Sequence, residues 1–188
     1  MGDGLAGAVR SLRRGGLVVY PTDTLLGLGA VASHRGAVRC LLAAKGRSGR
    51  QPISVCVSST EELDRYARLS PVARRFVRDH LPGPYTVLLA PSAEGRRRFA
   101  PAIAGFRTIG FRIPDHAVAR ELARRAGPIT ATSANRHGES PARSVAEARR
   151  ALGRAVSDYL PAVPAGTGTA STLVDLTGPE PRVVARRN

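Results

Sequence analysis

One basic residue differs in chemical type from all the others. Lys45 is the only lysine among the 29 lysine and arginine residues of the chain. An ammonium is a compact point charge and a guanidinium is a planar fork, so a lysine retained in an arginine-rich chain indicates a need for the compact charge. Lys45-Gly46-Arg47 lies at the predicted end of a helix and Arg50 follows, so these cations can hold different oxygens of one phosphate chain. A solvent-exposed basic helix terminus explains the same residues.

Several loop segments combine glycines with small polar side chains beside predicted strand ends, where open α/β sheets usually bind ligands. They are 21–29, 132–135 and 166–172. Their glycines allow close backbone approach, and their hydroxyl and amide groups suit a ribose, a phosphate or a base edge. None has the spacing of a Walker loop or of a dinucleotide fingerprint. Ordinary turns and surface loops remain the alternative for each segment.

Covalent catalysis has little support in the sequence. The four histidines have no obvious acid or nucleophile as a partner, and paired acids are scarce. Cys40 and Cys56 are too few for a disulfide framework and complete no metal-ligand spacing, so we expect both to be reduced, buried small hydrophobes. The residue types favour a mechanism based on fixed cations, hydroxyl groups and a metal-bound nucleotide.

The apolar pattern predicts strands that alternate with helices. Helices are predicted over 5–14, 37–44, 61–67, 71–80, 114–126 and 144–152. Strands are predicted over 17–20, 53–57, 86–90, 108–113, 129–132, 157–160, 171–176 and 182–185, and 21–29 is predicted as a loop. We therefore expect an α/β fold, with a twisted mixed sheet flanked by helices, in a single domain of residues 1–188.

Length and charge narrow the functional class further. A chain of 188 residues with 43% hydrophobic residues can bury one core. No apolar stretch approaches the ~20 residues of a membrane span, and no signal-peptide pattern follows Met1, so we expect a cytoplasmic protein. A net charge of +15 predicts attraction to polyanions, either nucleotide phosphates or an RNA backbone, although an arginine-rich composition alone explains it as well.

Taken together and in this order, the segments resemble the YrdC-like family of threonylcarbamoyl-adenylate synthases, in its short, single-domain branch. The matching motifs span nearly the whole chain: Tyr20–Gly29 (Y-P-T-D-T-x-x-G-L-G), Lys45–Arg47 with Pro52–Val55, Leu81–Thr86 (L-P-G-P-x-T), Phe111–His116 (F-R-I-P-D-H), Thr132–Asn135 and Ser171–Asp175. The resemblance implies a YrdC-like fold with a positively charged concave cavity.

The resemblance also implies an activity. This is the synthesis of threonylcarbamoyl-AMP and pyrophosphate from L-threonine, bicarbonate and ATP, with Mg²⁺ carried by the ATP, for transferase proteins that modify tRNA. Matched to the family motifs, the nucleotide contacts are Lys45, Arg47, Thr108, Ser133, Asn135 and Arg186, of which Lys45 and Arg47 are catalytic. The threonine contacts are Thr24, Arg112 and Ser171.

Some positions depart from the family pattern, which usually has an aromatic residue at Leu26 and proline at Ser48, while longer relatives have histidine at Cys56. These departures concern the shape of the threonine pocket more than the nucleotide contacts. Two alternatives therefore remain open. One is a non-catalytic module that binds duplex RNA, tRNA or the ribosome through its positive charge. The other is a divergent paralogue that binds a nucleotide but acts on another substrate.

Overall fold

The computed structural model describes residues 2–48, 51–162 and 166–185, in which helices and strands alternate as the apolar pattern predicts. The helices are α1 (Gly2–Arg13), α2 (Arg35–Lys45), α3 (Thr60–Tyr66), α4 (Pro71–His80), α5 (Ala93–Arg98), α6 (Pro101–Ala104), α7 (Ala117–Ala126) and α8 (Val145–Leu152), and a 3-10 turn covers Gly153–Ala155. The strands are β1 (Val18–Tyr20), β2 (Gly27–Gly29), β3 (Ser54–Cys56), β4 (Tyr85–Leu89), β5 (Ile109–Arg112), β6 (Ile129–Ser133), β7 (Asp158–Tyr159), β8 (Thr172–Asp175) and β9 (Arg182–Val183).

Serine caps set the first residue of several helices. The Oγ atoms of Ser70 and Ser144 accept the backbone N–H three residues further on, at 3.2 Å in both α4 and α8. Such bonds satisfy N–H groups that have no partner inside the helix. Helix α2 ends at Gly46, whose φ of 62° is the left-handed conformation that glycine adopts without strain. This glycine therefore allows the helix to end directly after Lys45.

Three expectations from the sequence are wrong. The Gly27-Leu28-Gly29 segment is strand β2 and not part of a loop. Helices α5 and α6 lie where no element was predicted, because each is only about one turn long, with an arginine run in one and a proline at the start of the other. Cys40 is exposed on α2, whereas Cys56 is buried as expected.

The nine strands of the described residues form one mixed sheet in the order β7-β1-β2-β6-β3-β5-β4-β8-β9. Strand β6 is inserted between β2 and β3 and is antiparallel to both. Strand β5 is parallel to β3 and antiparallel to β4, which in turn is parallel to β8. The expected α/β fold with a mixed sheet is therefore confirmed.

Helices cover one face of this sheet only in part. Helices α1 and α7 pack on each other and bury Tyr20, Cys56 and Ile129, together with Leu12 and Leu122 of the two helices. Because side chains alternate along a strand, Ser54 in β3 and Ala131 in β6 lie on the same face as Cys56 and Ile129. Ser54 and Ala131 line a cavity, and Ala131 also packs against the cluster that α1 and α7 bury.

Candidate functional site

A cavity of about 510 Å³ brings together most of the polar residues that the sequence analysis singled out. They come from the loop after β1, the end of α2, the ends of β5 and β6, and the residue before β8. The predicted residues that line it are Thr24, Lys45, Arg47, Arg112, Ser133, Asn135 and Ser171. Residues far apart in sequence thus share one hollow, as the nucleotide and threonine assignments require.

The Lys45 ammonium is held rigidly at one side of the cavity. The residue is only 3% exposed, and its Nζ donates hydrogen bonds to the carbonyl oxygens of Ser133 and Asn135, at 2.6 Å each. Burial, with a smaller effect of the nearby Arg47 charge, lowers the pKa of Lys45 to about 8. An ammonium has three N–H donors, so one remains for a ligand oxygen.

Arg47 stands beside Lys45 in a fixed orientation. Its Nε donates to Oε1 of Gln51 at 3.0 Å, and its Nη2 donates to the Pro52 carbonyl at 2.8 Å. Burial lowers the pKa of the Arg47 guanidinium from its ordinary value, but an arginine remains charged at any physiological pH. The cavity therefore has two neighbouring cations, one compact and one planar, along the same wall.

Asn135 is held by the loop that follows β6. Its Nδ2 donates to the carbonyl oxygens of Arg136 and Glu139, at 2.7 Å each. These bonds fix the amide orientation, because the reverse orientation would set the oxygen against two carbonyls. The buried Oδ1 has no hydrogen-bond partner among the described residues. The Oδ1 atom of Asn135 is thus able to accept a hydrogen bond from a ligand, close to the Lys45 ammonium.

Arg112, which also lines the cavity, forms a largely buried ion pair with Asp23 of the loop after β1. Nη2 of Arg112 donates to Oδ1 of Asp23 at 2.6 Å, and the two side chains are 10% and 13% exposed. Arg112 Nε and Asp23 Oδ2 are buried without hydrogen-bond partners in the part of the chain that the structure describes. Burying charge with unsatisfied polar atoms costs free energy, which is typical of a binding site rather than of a stabilising contact.

A segment near the C-terminal end, 166–171, lies against the Thr22–Thr24 loop. The N–H groups of Thr167 and Gly168 donate to the carbonyls of Asp23 and Thr24, at 3.0 and 2.9 Å. At its end, the Oγ of Ser171 lies 2.7 Å from Oγ1 of Thr86 in β4. The segment therefore fixes Thr24 and Ser171 relative to each other.

One predicted nucleotide contact, Thr108, does not line this cavity, and another, Arg186, is not among the described residues. Thr108 precedes β5, and it is not among the described residues that line the cavity. At about 3.3 Å per residue, it lies roughly 13 Å along the strand from Arg112. Arg186 lies outside the described residues, as does Arg50, so their roles stay predictions.

Other residues at the site were missed by sequence reasoning. Ser54 and Thr86 line the cavity, and Asp23 pairs with Arg112. All three lie inside the motifs quoted above, so the motifs could have pointed to these residues as part of the site. Their roles depend on strand register, which a single sequence does not show.

The described residues offer little support for a cysteine nucleophile, a protein-bound metal ion or a membrane span. Burial raises the pKa of the Cys56 thiol to about 12, so this thiol is not a nucleophile at neutral pH. The described part of the chain contains no group of three or more histidine, cysteine or acidic residues that could hold a metal ion. Nor does any helix described there have both the length and the apolar character of a membrane span.

Comparison with known proteins identifies the relatives of this chain. The family model for Sua5, YciO and YrdC, described as telomere recombination, matches residues 10–187. The chain belongs to the Sua5/YciO/YrdC family. A putative threonylcarbamoyl-AMP synthase of Mycobacterium leprae is 40% identical over 184 residues, which is 96% of this chain and 81% of the relative. Threonylcarbamoyl-AMP synthase of Mus musculus is 38% identical over 146 residues, 77% of this chain and 51% of the relative.

Solved structures of this family have the same fold. P. abyssi Sua5, in complex with L-threonine, superposes with a TM-score of 0.87 at 30% identity and covers 95% of this chain. The match takes in 52% of the P. abyssi chain, so this chain spans about half of it. E. coli YciO superposes with a TM-score of 0.81 at 27% identity, over 96% of this chain and 87% of YciO. The expected YrdC-like fold and the resemblance to a family of synthases are confirmed.

Proposed function

We propose that the chain is an L-threonylcarbamoyladenylate synthase, which forms threonylcarbamoyl-AMP and pyrophosphate from L-threonine, bicarbonate and ATP for tRNA modification. The observation that carries this proposal is the single cavity in which Lys45 and Ser133 face the same space as Thr24, Arg112 and Ser171. The relatives named threonylcarbamoyl-AMP synthase and the threonine complex of P. abyssi Sua5 support the same assignment.

The side of the cavity formed by Lys45 and Arg47 suits the triphosphate. Its two cations are already oriented by backbone carbonyls and Gln51, so little reorganisation is needed when phosphate charge develops during the reaction. Ser133 and Asn135 supply a hydroxyl and an amide oxygen for the nucleoside. Thr108 and Arg186 are proposed as further nucleotide contacts on the family motifs alone.

The side formed by Arg112 suits the amino acid. The Asp23 contact uses one of five N–H donors of the guanidinium, which leaves others for the threonine carboxylate. The hydroxyls of Thr24 and Ser171 can bond the threonine hydroxyl group. Threonine held there would direct its amine toward the centre of the cavity.

The reaction then proceeds in two steps. The threonine amine attacks the carbon of bicarbonate, so a C–N bond forms, a C–O bond breaks and water leaves, giving a carbamate. A carbamate oxygen attacks the α-phosphorus of ATP, and pyrophosphate leaves with the electrons of the broken P–O bond. Lys45 and Arg47 stabilise the negative charge on the phosphates, and holding both reactants in one cavity lowers the entropic barrier.

Mg²⁺ is proposed to enter with ATP, where it neutralises phosphate charge. The donor set fits this route, because the cavity lining supplies hydroxyls, amides and cations, with Glu139 as its acidic residue among those described. We also propose cytoplasmic action together with threonylcarbamoyl-transferase proteins. Transfer to tRNA is assigned to those partners.

Pyrophosphate release tests the proposed function. We expect release from ATP that requires both threonine and bicarbonate. Lys45→Ala should lower the rate by roughly two to three decades, because a fixed charge is lost where phosphate charge develops. Ser140→Ala, at the cavity rim, is the matched control and should retain the wild-type rate. Release that needs neither threonine nor bicarbonate would contradict the proposal, and an unaffected Lys45→Ala variant would contradict the assignment of this site.

Specific observations favour two other candidates. The net charge of +15 suits a module that binds duplex RNA or tRNA without catalysis. Leu26, where the family usually has an aromatic residue, lines the cavity and so suits a paralogue with a different substrate. Calorimetric titration of threonine, with and without a nonhydrolysable ATP analogue, separates them: the synthase binds threonine more tightly in the presence of the analogue, and neither alternative does.

A further inference from the structure

The sheet surface beneath the cavity consists mainly of small residues. Ser54 in β3 is directly paired with Ala131 in β6. On its other side, the pairing of Val55 with Phe111 places Ser54 beside Gly110 of β5. The register of β4 and β5 likewise places Thr86 beside Arg112. Ser54 therefore lies between the strand that leads to Ser133 and the strand that leads to Arg112.

The lack of a side chain at Gly110 makes room for the Ser54 hydroxyl. A Cβ atom at Gly110 would lie 2.5 Å from Ser54 Oγ and 3.1 Å from Thr86 Cγ2, which is closer than atoms pack without displacement. The absence of a side chain thus lets the Ser54 hydroxyl occupy the middle of the cavity floor. No special backbone conformation requires glycine here, because φ of Gly110 is not positive.

The Ser54 hydroxyl also differs from its neighbours in its hydrogen bonding. Ser54 is half-buried and lines the cavity, and its hydroxyl makes no hydrogen bond within the described residues. By contrast, the hydroxyls of Thr86 and Ser171 lie 2.7 Å apart and bond each other. Ser54 therefore offers a donor and an acceptor at the point where the nucleotide side and the amino acid side of the cavity meet.

We propose that the Ser54 hydroxyl, which lies over Gly110 and lines the cavity, binds the one-carbon substrate, bicarbonate, and the carbamate that it becomes. This inference rests on the proposed function, because only a reaction between an amine, bicarbonate and a nucleotide needs a small carboxyl group at this point. The Ser54 hydroxyl donates to a carboxyl oxygen while the threonine amine forms the C–N bond and water leaves. The same hydrogen bond then directs the carbamate toward the α-phosphorus.

The kinetic constants for the three substrates test this assignment. Ser54→Ala should raise the KM for bicarbonate roughly tenfold, because a hydrogen bond to a charged group is lost. The dissociation constants of threonine and of an ATP analogue, measured without bicarbonate, should stay within about twofold of wild type because neither ligand depends on this bond. Ser54→Val replaces the hydroxyl by two methyl groups, and it should reduce turnover by about a hundredfold or more while both ligands still bind. Ser140→Ala, a serine at the rim of the same cavity, should leave the bicarbonate KM unchanged.

Two outcomes would overturn the inference. One is an unchanged bicarbonate KM in Ser54→Ala together with an active Ser54→Val variant. The other is a loss of threonine or ATP-analogue affinity as large as the rise in bicarbonate KM, since this would mark Ser54 as a general support of the cavity. In both cases an active wild-type chain leaves the proposed function intact. A wild-type chain with no bicarbonate-dependent pyrophosphate release would overturn the proposed function, and this inference with it.

Discussion

The surroundings of Lys45 explain why this position is a lysine in a chain that otherwise uses arginine. Its ammonium fits between the carbonyl oxygens of Ser133 and Asn135, which accept two of its N–H groups at 2.6 Å. A guanidinium is wider and planar, and it would force these carbonyls apart or project past them. The rarity of the residue type in the sequence thus corresponds to a geometric requirement in the structure.

The lowered pKa of Lys45 predicts that nucleotide binding depends on pH. Burial is the main cause of its value of about 8, so the side chain is charged below this pH and loses its proton above it. Affinity for an ATP analogue should be constant below about pH 7 and fall by up to tenfold for each further unit well above the pKa. Calorimetry across this range is the measurement, and it should also detect proton uptake on binding near the pKa. Lys45→Ala should bind weakly with no such change; a wild-type profile as flat as that of the variant would contradict the role of Lys45.

Sequence reasoning found the site residues that are distinctive in type or that stand in motifs with an assigned role. Lys45 was found from its residue type, and Arg112 was assigned through its motif. Ser54, Thr86 and Asp23 were missed because a serine, a threonine or an aspartate is common, and each is important only through a neighbour on another strand or loop. Those neighbours lie roughly 55 to 90 residues away along the chain, and their positions depend on strand register.

Strand β2 was also missed because it depends on a non-local neighbour that its own sequence does not show. Gly27 and Gly29 have low intrinsic preference for strands, so the sequence indicates a loop. In the structure, the Tyr20 ring lies over both glycines, and a Cβ at Gly27 would lie 2.6 Å from the ring. The Tyr20 hydroxyl donates to the Thr130 carbonyl in β6. The strand therefore forms because a side chain on β1 covers it, which a local reading of 21–29 does not capture.

The contact between segment 166–171 and the Thr22–Thr24 loop predicts that one methyl group added at Gly166 weakens threonine binding. A Cβ at Gly166 would lie 2.4 Å from the Thr24 carbonyl oxygen and 2.6 Å from that of Thr22, and backbone atoms cannot move aside cheaply. Gly166→Ala should displace the segment and weaken threonine binding roughly tenfold, while the affinity for an ATP analogue changes by less than about twofold. Gly178→Ala, whose Cβ would meet only the Glu180 carbonyl at 3.9 Å, is the control. Calorimetric titration of both ligands checks this, and equal losses for the two ligands would contradict it.

At the scale of the whole molecule, strand order creates the site. Strand β6 comes from the second half of the chain and lies between β2 and β3, which both come from the first third. This insertion places Ser133 and Asn135 beside the end of α2, where Lys45 reaches them. Alternating helices and strands predict the fold class, but they do not predict which strand lies next to which. The site therefore depends on non-local pairing that the sequence pattern leaves undetermined.

The net charge of +15 predicts that the whole surface, rather than the cavity, governs contact with RNA. Duplex RNA should bind with an affinity that falls steeply as salt rises, since each phosphate contact releases counterions. Lys45→Ala should leave this affinity unchanged, because Lys45 is 3% exposed and contributes one charge among 29 basic residues. Replacing the exposed arginines Arg96–Arg98 by glutamine should reduce the salt dependence if α5 lies in the contact with RNA. Arg149→Gln tests whether an arginine on another helix, α8, changes the salt dependence as well. Fluorescence anisotropy of labelled RNA over a salt series measures both effects. An affinity abolished by Lys45→Ala would show that RNA binds through the cavity, and a salt-independent affinity would contradict binding through the distributed charge.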